Sequence, residues 1–265
     1  GQAFFYIIYV YTKTSYNKIK DMSDFKFPTE QVDLPSKGLV YPKDNPLSSG
    51  KVEMKYMTAK EEDILTNQSF IERGTVMDKL LQSLIIDKSI KYNEIIVGDK
   101  NAMLVAARVL GYGAEYIFEY KGEQETVDLS LLENKPFDES NLIKLNVNEF
   151  SYELPRTKQK ITYKILSSKD ENLIESELNG FRKINKNVVP ELSTRLKYMI
   201  TSVGDDPDKK SIREFVDNFL LASDSRAFRG HVKSTQPDVD LTFFPQGSNI
   251  QVEIPIGVKF FWPDI

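Results

Sequence analysis

The sequence contains no cysteine and only one histidine, His231, among its 265 residues. Without thiols the chain can form no disulfides, no cysteine-based zinc site and no thiol nucleophile. A single histidine also removes the ordinary histidine-based triads. Carboxylates could still bind a metal or transfer protons, but the two densest acidic clusters, residues 61–63 and 205–208, fall in a helix start and a turn. We therefore predict no catalytic residues, no metal, no cofactor and no enzymatic activity.

Long apolar runs are also missing. The most apolar stretch covers residues 4–11, which is far shorter than the roughly 20 residues that cross a bilayer. We therefore predict no membrane span. The net charge of −4 and the pI of about 5.3 make nucleic acid an unlikely partner, because phosphate contacts need concentrated Lys and Arg. Nothing in the sequence indicates a small-molecule substrate.

One stretch of fourteen residues occurs twice. Residues 52–65, VEMKYMTAKEEDIL, align without a gap with residues 161–174, ITYKILSSKDENLI, at an offset of 109 residues. Each copy alternates apolar and polar positions like a strand and then carries a capping-box spacing. In the first copy the box is Thr58 with Glu61, and in the second it is Ser167 with Asp170 or Ser168 with Glu171. We interpret the chain as two related halves produced by an internal duplication.

The order of predicted elements recurs in both halves and defines an α+β fold. Each half is predicted to contain a strand, two helices and a ribbon-like β-hairpin. Asp99 and Asp224 are predicted to be the N-caps of corresponding helices. The predicted helices cover residues 76–87, 100–110, 171–186, 191–203 and 208–222, and the predicted hairpins cover residues 115–129 and 238–254.

On the interpretation of two related halves, the chain divides into five segments. Residues 1–21 resemble an extension upstream of an ordinary protein start at Met22, and the alternative is a strand that pairs with a partner's sheet edge. The segments are the extension at residues 1–21, a surface-running arm at 22–50, the first half at 51–133, a linker at 134–155 and the second half at 156–265.

The end of the chain is aromatic and follows a basic helix. Three consecutive aromatics, residues 260–262, would point to both faces of a strand, so that either the core or a partner must cover one side. The helix carries Arg226, Arg229 and His231, which could bind phosphate or form a solvated face.

Several motifs together resemble a known family. They are LPSKG followed by Tyr-Pro at residues 34–42, the strand with its T-x-x-E unit, GDKNAMLVAARVLGYGAEY at 98–116, DSRAFR at 224–229 and IPIGVKFFWP near the end. Their order resembles the baseplate hub proteins of T-even-type contractile-tailed phages, over about residues 27–262. The resemblance implies a hub subunit or hub assembly factor that acts by protein–protein binding in the host cytoplasm, with a place in the virion tail baseplate left open.

The chain departs from the family pattern at its hairpin tips. Many members of the family carry a C-x-x-C pair at the hairpin tip like a zinc ribbon, whereas residues 120–123 and 245–248 of this chain supply no thiolates. The implied partners are other baseplate hub proteins. The alternative is an adaptor that binds nucleic acid through the basic helix and the ribbon-like hairpins. The predicted partner-binding residues are Leu34, Lys37, Leu39, Tyr41, Arg226, Arg229, Phe260, Phe261 and Trp262.

Overall fold

The computed structural model describes residues 28–184 and 189–261. Helices and small antiparallel sheets alternate along the chain, so the predicted α+β class is confirmed. The predicted extension at residues 1–21 lies outside the described residues.

The first half begins with a strand that sequence analysis had placed in the arm. β1 pairs antiparallel with β2, with Val32 opposite Val52. The predicted hairpin is confirmed as β3 and β4, which turn at Lys121 and Gly122. The elements are β1 (Thr29–Asp33), β2 (Lys51–Lys55), α1 (Ala59–Leu65), α2 (Gln68–Glu72), α3 (Val76–Leu84), α4 (Val97–Tyr112), β3 (Glu115–Tyr120) and β4 (Glu123–Asp128).

The second half contains a three-stranded sheet in the order β5-β6-β7. The helix predicted over residues 191–203 is wrong in its last turn, because the chain becomes β7 after Met199 and pairs with β6. The elements are β5 (Phe150–Glu153), β6 (Lys160–Tyr163), α5 (Ser168–Ile184), α6 (Glu191–Met199), β7 (Ile200–Val203), α7 (Lys209–Asn218), α8 (Ala222–Thr235), β8 (Thr242–Phe243), β9 (Val252–Glu253) and α9 (Val258–Phe261).

The two copies of the fourteen-residue unit have the same local geometry. In the first, Glu61 accepts hydrogen bonds from the Thr58 amide at 2.9 Å and from Lys55 Nζ at 2.7 Å. In the second, Asp170 accepts from the Ser167 amide at 3.0 Å and from Lys164 Nζ at 2.5 Å.

The lysine, the N-cap residue and the acidic residue of the first copy each lie 109 residues before their counterparts in the second copy. The first capping box is confirmed, and Ser167 rather than Ser168 starts the second. These parallels agree with the interpretation of two related halves, and the duplication itself stays a prediction.

One apolar cluster runs through both halves of the described chain. It joins side chains of the first half, such as Leu80 and Met103, to side chains of the second, such as Ile161 and Phe228. The predicted linker also takes part, because it contains β5 and because the Lys135 amide donates to the Asp238 carbonyl at 2.8 Å. The two halves therefore share a core.

Candidate functional site

The loop predicted to contact a partner is largely built into the core. Leu34 and Tyr41 are only 2% and 3% exposed, so neither can contact another protein without unfolding the loop. Lys37 is exposed and Leu39 is half-buried. The expectation that the apolar residues of this loop form a contact surface is therefore corrected, since they hold the loop to its own chain.

The buried carboxylate of Asp99 fixes this loop. It accepts hydrogen bonds from the Ser36 amide at 3.0 Å, from Ser36 Oγ at 2.7 Å and from the Tyr41 hydroxyl at 2.6 Å. Asp99 is not the N-cap as predicted, because α4 begins two residues earlier and Ile96 is the N-cap. Burial raises the pKa of Asp99, although the bonds from Tyr41 and Ser36 oppose that rise. The role of this carboxylate is structural.

In the second half, the carboxylate of Asp224 fixes a loop in the same way. It lies inside α8, whose N-cap is Leu221, so the predicted N-cap is again corrected. Its carboxylate accepts from the Arg156 amide at 2.8 Å and from the amide and hydroxyl of Thr157 at 3.1 and 2.8 Å. In both halves, the third residue of a helix holds the loop that precedes the repeated strand.

The aromatic tail is core rather than surface. Residues 258–261 form the short helix α9 and not the predicted strand, and Phe260 and Phe261 are 0% and 1% exposed. The Arg108 guanidinium donates to the Phe260 carbonyl at 3.0 Å, and the Phe260 ring meets Tyr116 edge to face. These two phenylalanines are therefore covered by their own chain, which corrects their assignment as partner-binding residues. Trp262 lies outside the described residues.

The basic helix α8 presents Arg226 and Arg229 to solvent, as predicted. His231 faces the other way, because its ring stacks on Tyr152 at 4.4 Å and its Nε2 lies 3.1 Å from the Tyr163 hydroxyl. Burial lowers the pKa of His231, so the imidazole is neutral at pH 7. The histidine therefore belongs to the edge of the core and not to a phosphate site.

A cavity of about 660 Å³ opens between the first-half loop and the second half. Five basic side chains line it, of which three form ion pairs with carboxylates, whereas Lys169 and Lys209 are exposed to solvent. The ion pairs are Lys164 with Asp170, Lys197 with Asp217 and Arg213 with Glu177.

The two hairpins, one from each half, pack against each other. Phe243 on β8 meets Phe118 and Tyr120 on β3 edge to face, with ring centroids 5.2 and 6.3 Å apart. The buried carboxylate of Glu125 accepts from the Gln246 amide at 3.0 Å. Aromatic contacts and a partly buried hydrogen bond thus hold the second hairpin against the first, since its own strands are only two residues long.

Beyond this base, the turn of the second hairpin exposes two large apolar side chains. Phe244 is 62% exposed and Ile250 is 73% exposed. We call the turn region of the second hairpin that carries Phe244 and Ile250 the twin-hairpin tip. Sequence analysis missed both residues, because they flank the polar PQGSN turn and their exposure depends on how the hairpin packs.

Two negative results apply to residues 28–184 and 189–261. No group of three or more His, Asp or Glu side chains in this part of the chain could hold a metal ion. No helix there is long and apolar enough to cross a membrane. The predicted absence of a membrane-spanning helix is therefore supported for these residues.

The geometry thus describes an α+β chain whose most distinctive surface is a pair of packed hairpins. Comparison of the chain with protein-family models, with curated proteins and with solved structures finds no match. The resemblance to phage baseplate hub proteins stays a prediction.

Proposed function

We propose that this chain is a non-catalytic, protein-binding component of a contractile phage tail, namely a baseplate hub subunit or an assembly factor for the hub. The order of sequence motifs supports the family, and the twin-hairpin tip supports the mode of action. In this proposal the chain binds other hub proteins in the host cytoplasm and covers or orders their apolar surfaces while the baseplate assembles.

The observation that carries the proposal is the exposure of Phe244 and Ile250 on a fixed base. Burying a large apolar side chain contributes about 1.5–3 kcal/mol, and anchors of this kind dominate binding when they are held in place beforehand. The packing of Phe243 against Phe118 provides that pre-organisation. The tip therefore has the features of a partner's anchor point.

Exposed cations supply orientation in this proposal. Arg226 and Arg229 lie one turn apart on α8, and neither forms an ion pair within the described residues. Charges at the rim of an interface steer encounter and select the partner more than they add affinity. Acidic hub surfaces would be favoured over basic ones.

The test is affinity purification of the tagged chain from phage-infected cells, with mass spectrometry of the co-purifying proteins. We expect hub proteins to be recovered with the wild type and lost with the double variant Phe244→Ser, Ile250→Ser. Leu131→Ser is the matched control, because Leu131 is 75% exposed and follows β4 at the opposite end of the hairpin. Presence in purified virions would identify a subunit, and absence would identify an assembly factor.

Other results would count against the proposal. Recovery of nucleic acid without hub proteins, with retention on heparin that falls steeply with salt, would favour the adaptor instead. Equal recovery of hub proteins by the wild type and the double variant would exclude the twin-hairpin tip as the anchor.

A further inference from the structure

β1 has one unpaired edge. It pairs with β2 alone among the described strands. The Leu34 amide donates to the Gly50 carbonyl at 2.8 Å, and the Tyr56 amide donates to the Pro28 carbonyl at 3.2 Å. These two bonds show which residues of β1 bond to β2, because the backbone groups of successive residues in an antiparallel strand point alternately towards and away from the neighbouring strand. The even-numbered residues of β1 therefore bond to β2.

The odd-numbered residues of β1, Thr29, Gln31 and Asp33, consequently direct their amides and carbonyls away from β2. No described group accepts a hydrogen bond from any of these three amides. A row of unpaired backbone groups of this kind is a template for one more strand.

A groove of about 270 Å³ runs beside this free edge, and α4 forms its floor. α4 is apolar on two sides. One side, with Met103, Leu104 and Ala107, is buried in the core. The other side lines the groove at helical spacing with Ala102, Val105, Ala106 and Val109. A helix that is apolar around most of its circumference is normally covered on every side. On the groove side of α4, Ala102 and Val105 are buried, at 7% and 8% exposed, but Ala106 and Val109 are only half-buried and line the open groove.

The edge and the groove together fit one kind of ligand, an extended segment with apolar side chains. The segment would bond to β1 through its backbone and place alternate side chains over α4. Residues 4–11, FFYIIYVY, have this chemistry, because they are aromatic or β-branched and carry no charge. They belong to the same chain and precede β1.

The length and charge of the connection also fit. Residues 12–28 join the segment to β1, and about 17 residues can reach about 55 Å, whereas neighbouring strands lie only about 4.8 Å apart. The connection carries four lysines and two aspartates, a net charge of +2, while β1 carries Glu30 and Asp33 and has a net charge of −2. Opposite charges on the two favour the return of the segment to this edge.

We propose that residues 4–11, which lie outside the described residues, add as a strand to the free edge of β1 in the same chain and cover the groove side of α4. This differs from the expectation that residues 1–21 are an extension upstream of a protein start at Met22, which stays a prediction. The segment completes a three-stranded sheet and shields an apolar surface that would otherwise attract other strands.

Hydrogen exchange of the β1 amides in the full-length chain tests the proposal. We expect the amides of Gln31 and Asp33 to be protected, together with those of Glu30 and Val32, which bond to β2. The double variant Ile7→Asp, Ile8→Asp places a charge over α4 whichever residue faces inward. It should accelerate exchange at the odd-numbered amides by about tenfold or more and leave the even-numbered ones unchanged.

The matched control is Thr14→Asp, Ser15→Asp, which adds the same charge in the connection and should change neither set. Three outcomes would overturn the proposal. In the first, the odd-numbered amides exchange freely in the wild type. In the second, they are protected but insensitive to the Ile7 and Ile8 changes. In the third, their protection rises with protein concentration, which would assign the edge to a second copy of the chain.

Discussion

The strongest stability prediction concerns Glu61, whose side chain is fully buried. Burial opposes ionisation, but hydrogen bonds from Lys55, Ser83 and Thr58 outweigh it and lower the pKa of Glu61 to about 2. Lys55 Nζ and Ser83 Oγ both donate to Oε1, and the amide and hydroxyl of Thr58 donate to Oε2. Glu61→Gln replaces one of these acceptors by an NH₂ donor that faces two other donors.

The size of the loss follows from the pKa. A carboxyl whose pKa falls from about 4.5 in the unfolded chain to about 2 in the fold contributes about 3.4 kcal/mol at pH 7. Because the folded-state pKa is lowered, this contribution is complete above about pH 4.5 and is lost as the pH falls towards 2. At pH 3.5 it is about 2 kcal/mol. We therefore expect Glu61→Gln to destabilise the protein by about 3 kcal/mol at neutral pH, and by less in acid.

The assay is urea unfolding followed by circular dichroism at pH 7 and pH 3.5. Asp63→Asn is the control, because Asp63 is an exposed carboxylate of the same helix and should change the unfolding free energy by less than about 0.5 kcal/mol. The reasoning fails if Glu61→Gln costs no more than Asp63→Asn. It also fails if the difference between Glu61→Gln and the wild type does not shrink at the lower pH.

Two further predictions concern packing, and thermal unfolding measures both. Gly98→Ala should lower the melting temperature, because a Cβ at Gly98 would lie 1.9 Å from the Pro237 carbonyl oxygen, whereas Gly180→Ala should raise stability by about 0.5–1 kcal/mol, since nothing lies near that helical position. Equal effects would contradict the close approach. Phe260→Ala should lower the free energy of unfolding by about 3–5 kcal/mol, because it truncates a core side chain. An unchanged stability would contradict the burial of Phe260.

Local patterns predicted the elements whose signals lie within a few residues. The T-x-x-E spacing of Thr58 and Glu61 identified a capping box, and the alternation of Tyr116, Phe118 and Tyr120 with the following Gly122 identified a hairpin. In both cases the residues that form the structure are neighbours in the chain. The capping box and the hairpin could therefore be predicted from the sequence alone.

Elements that depend on distant partners could not be predicted in this way. The stripe of α6 continues to Val203, but residues 200–203 pair with β6 and form a strand, and three of these four residues are β-branched. β1 has only one apolar residue, Val32, and so gives no strand signal. Asp99 matches an N-cap by type, yet its partners lie 58 to 63 residues away. The twin-hairpin tip and the groove of α4 arise only when the fold brings separate segments together.

The contact between Arg108 and the Phe260 carbonyl has a consequence for synthesis. The two residues are 152 positions apart. At about 5–20 residues per second, a ribosome makes α4 about 8–30 s before it makes the segment that covers one end of α4. During that interval the first half is complete in sequence but not in structure, with apolar surface still open to other chains. This surface of α4 therefore stays uncovered until residues 258–261 have been made and have folded back onto it.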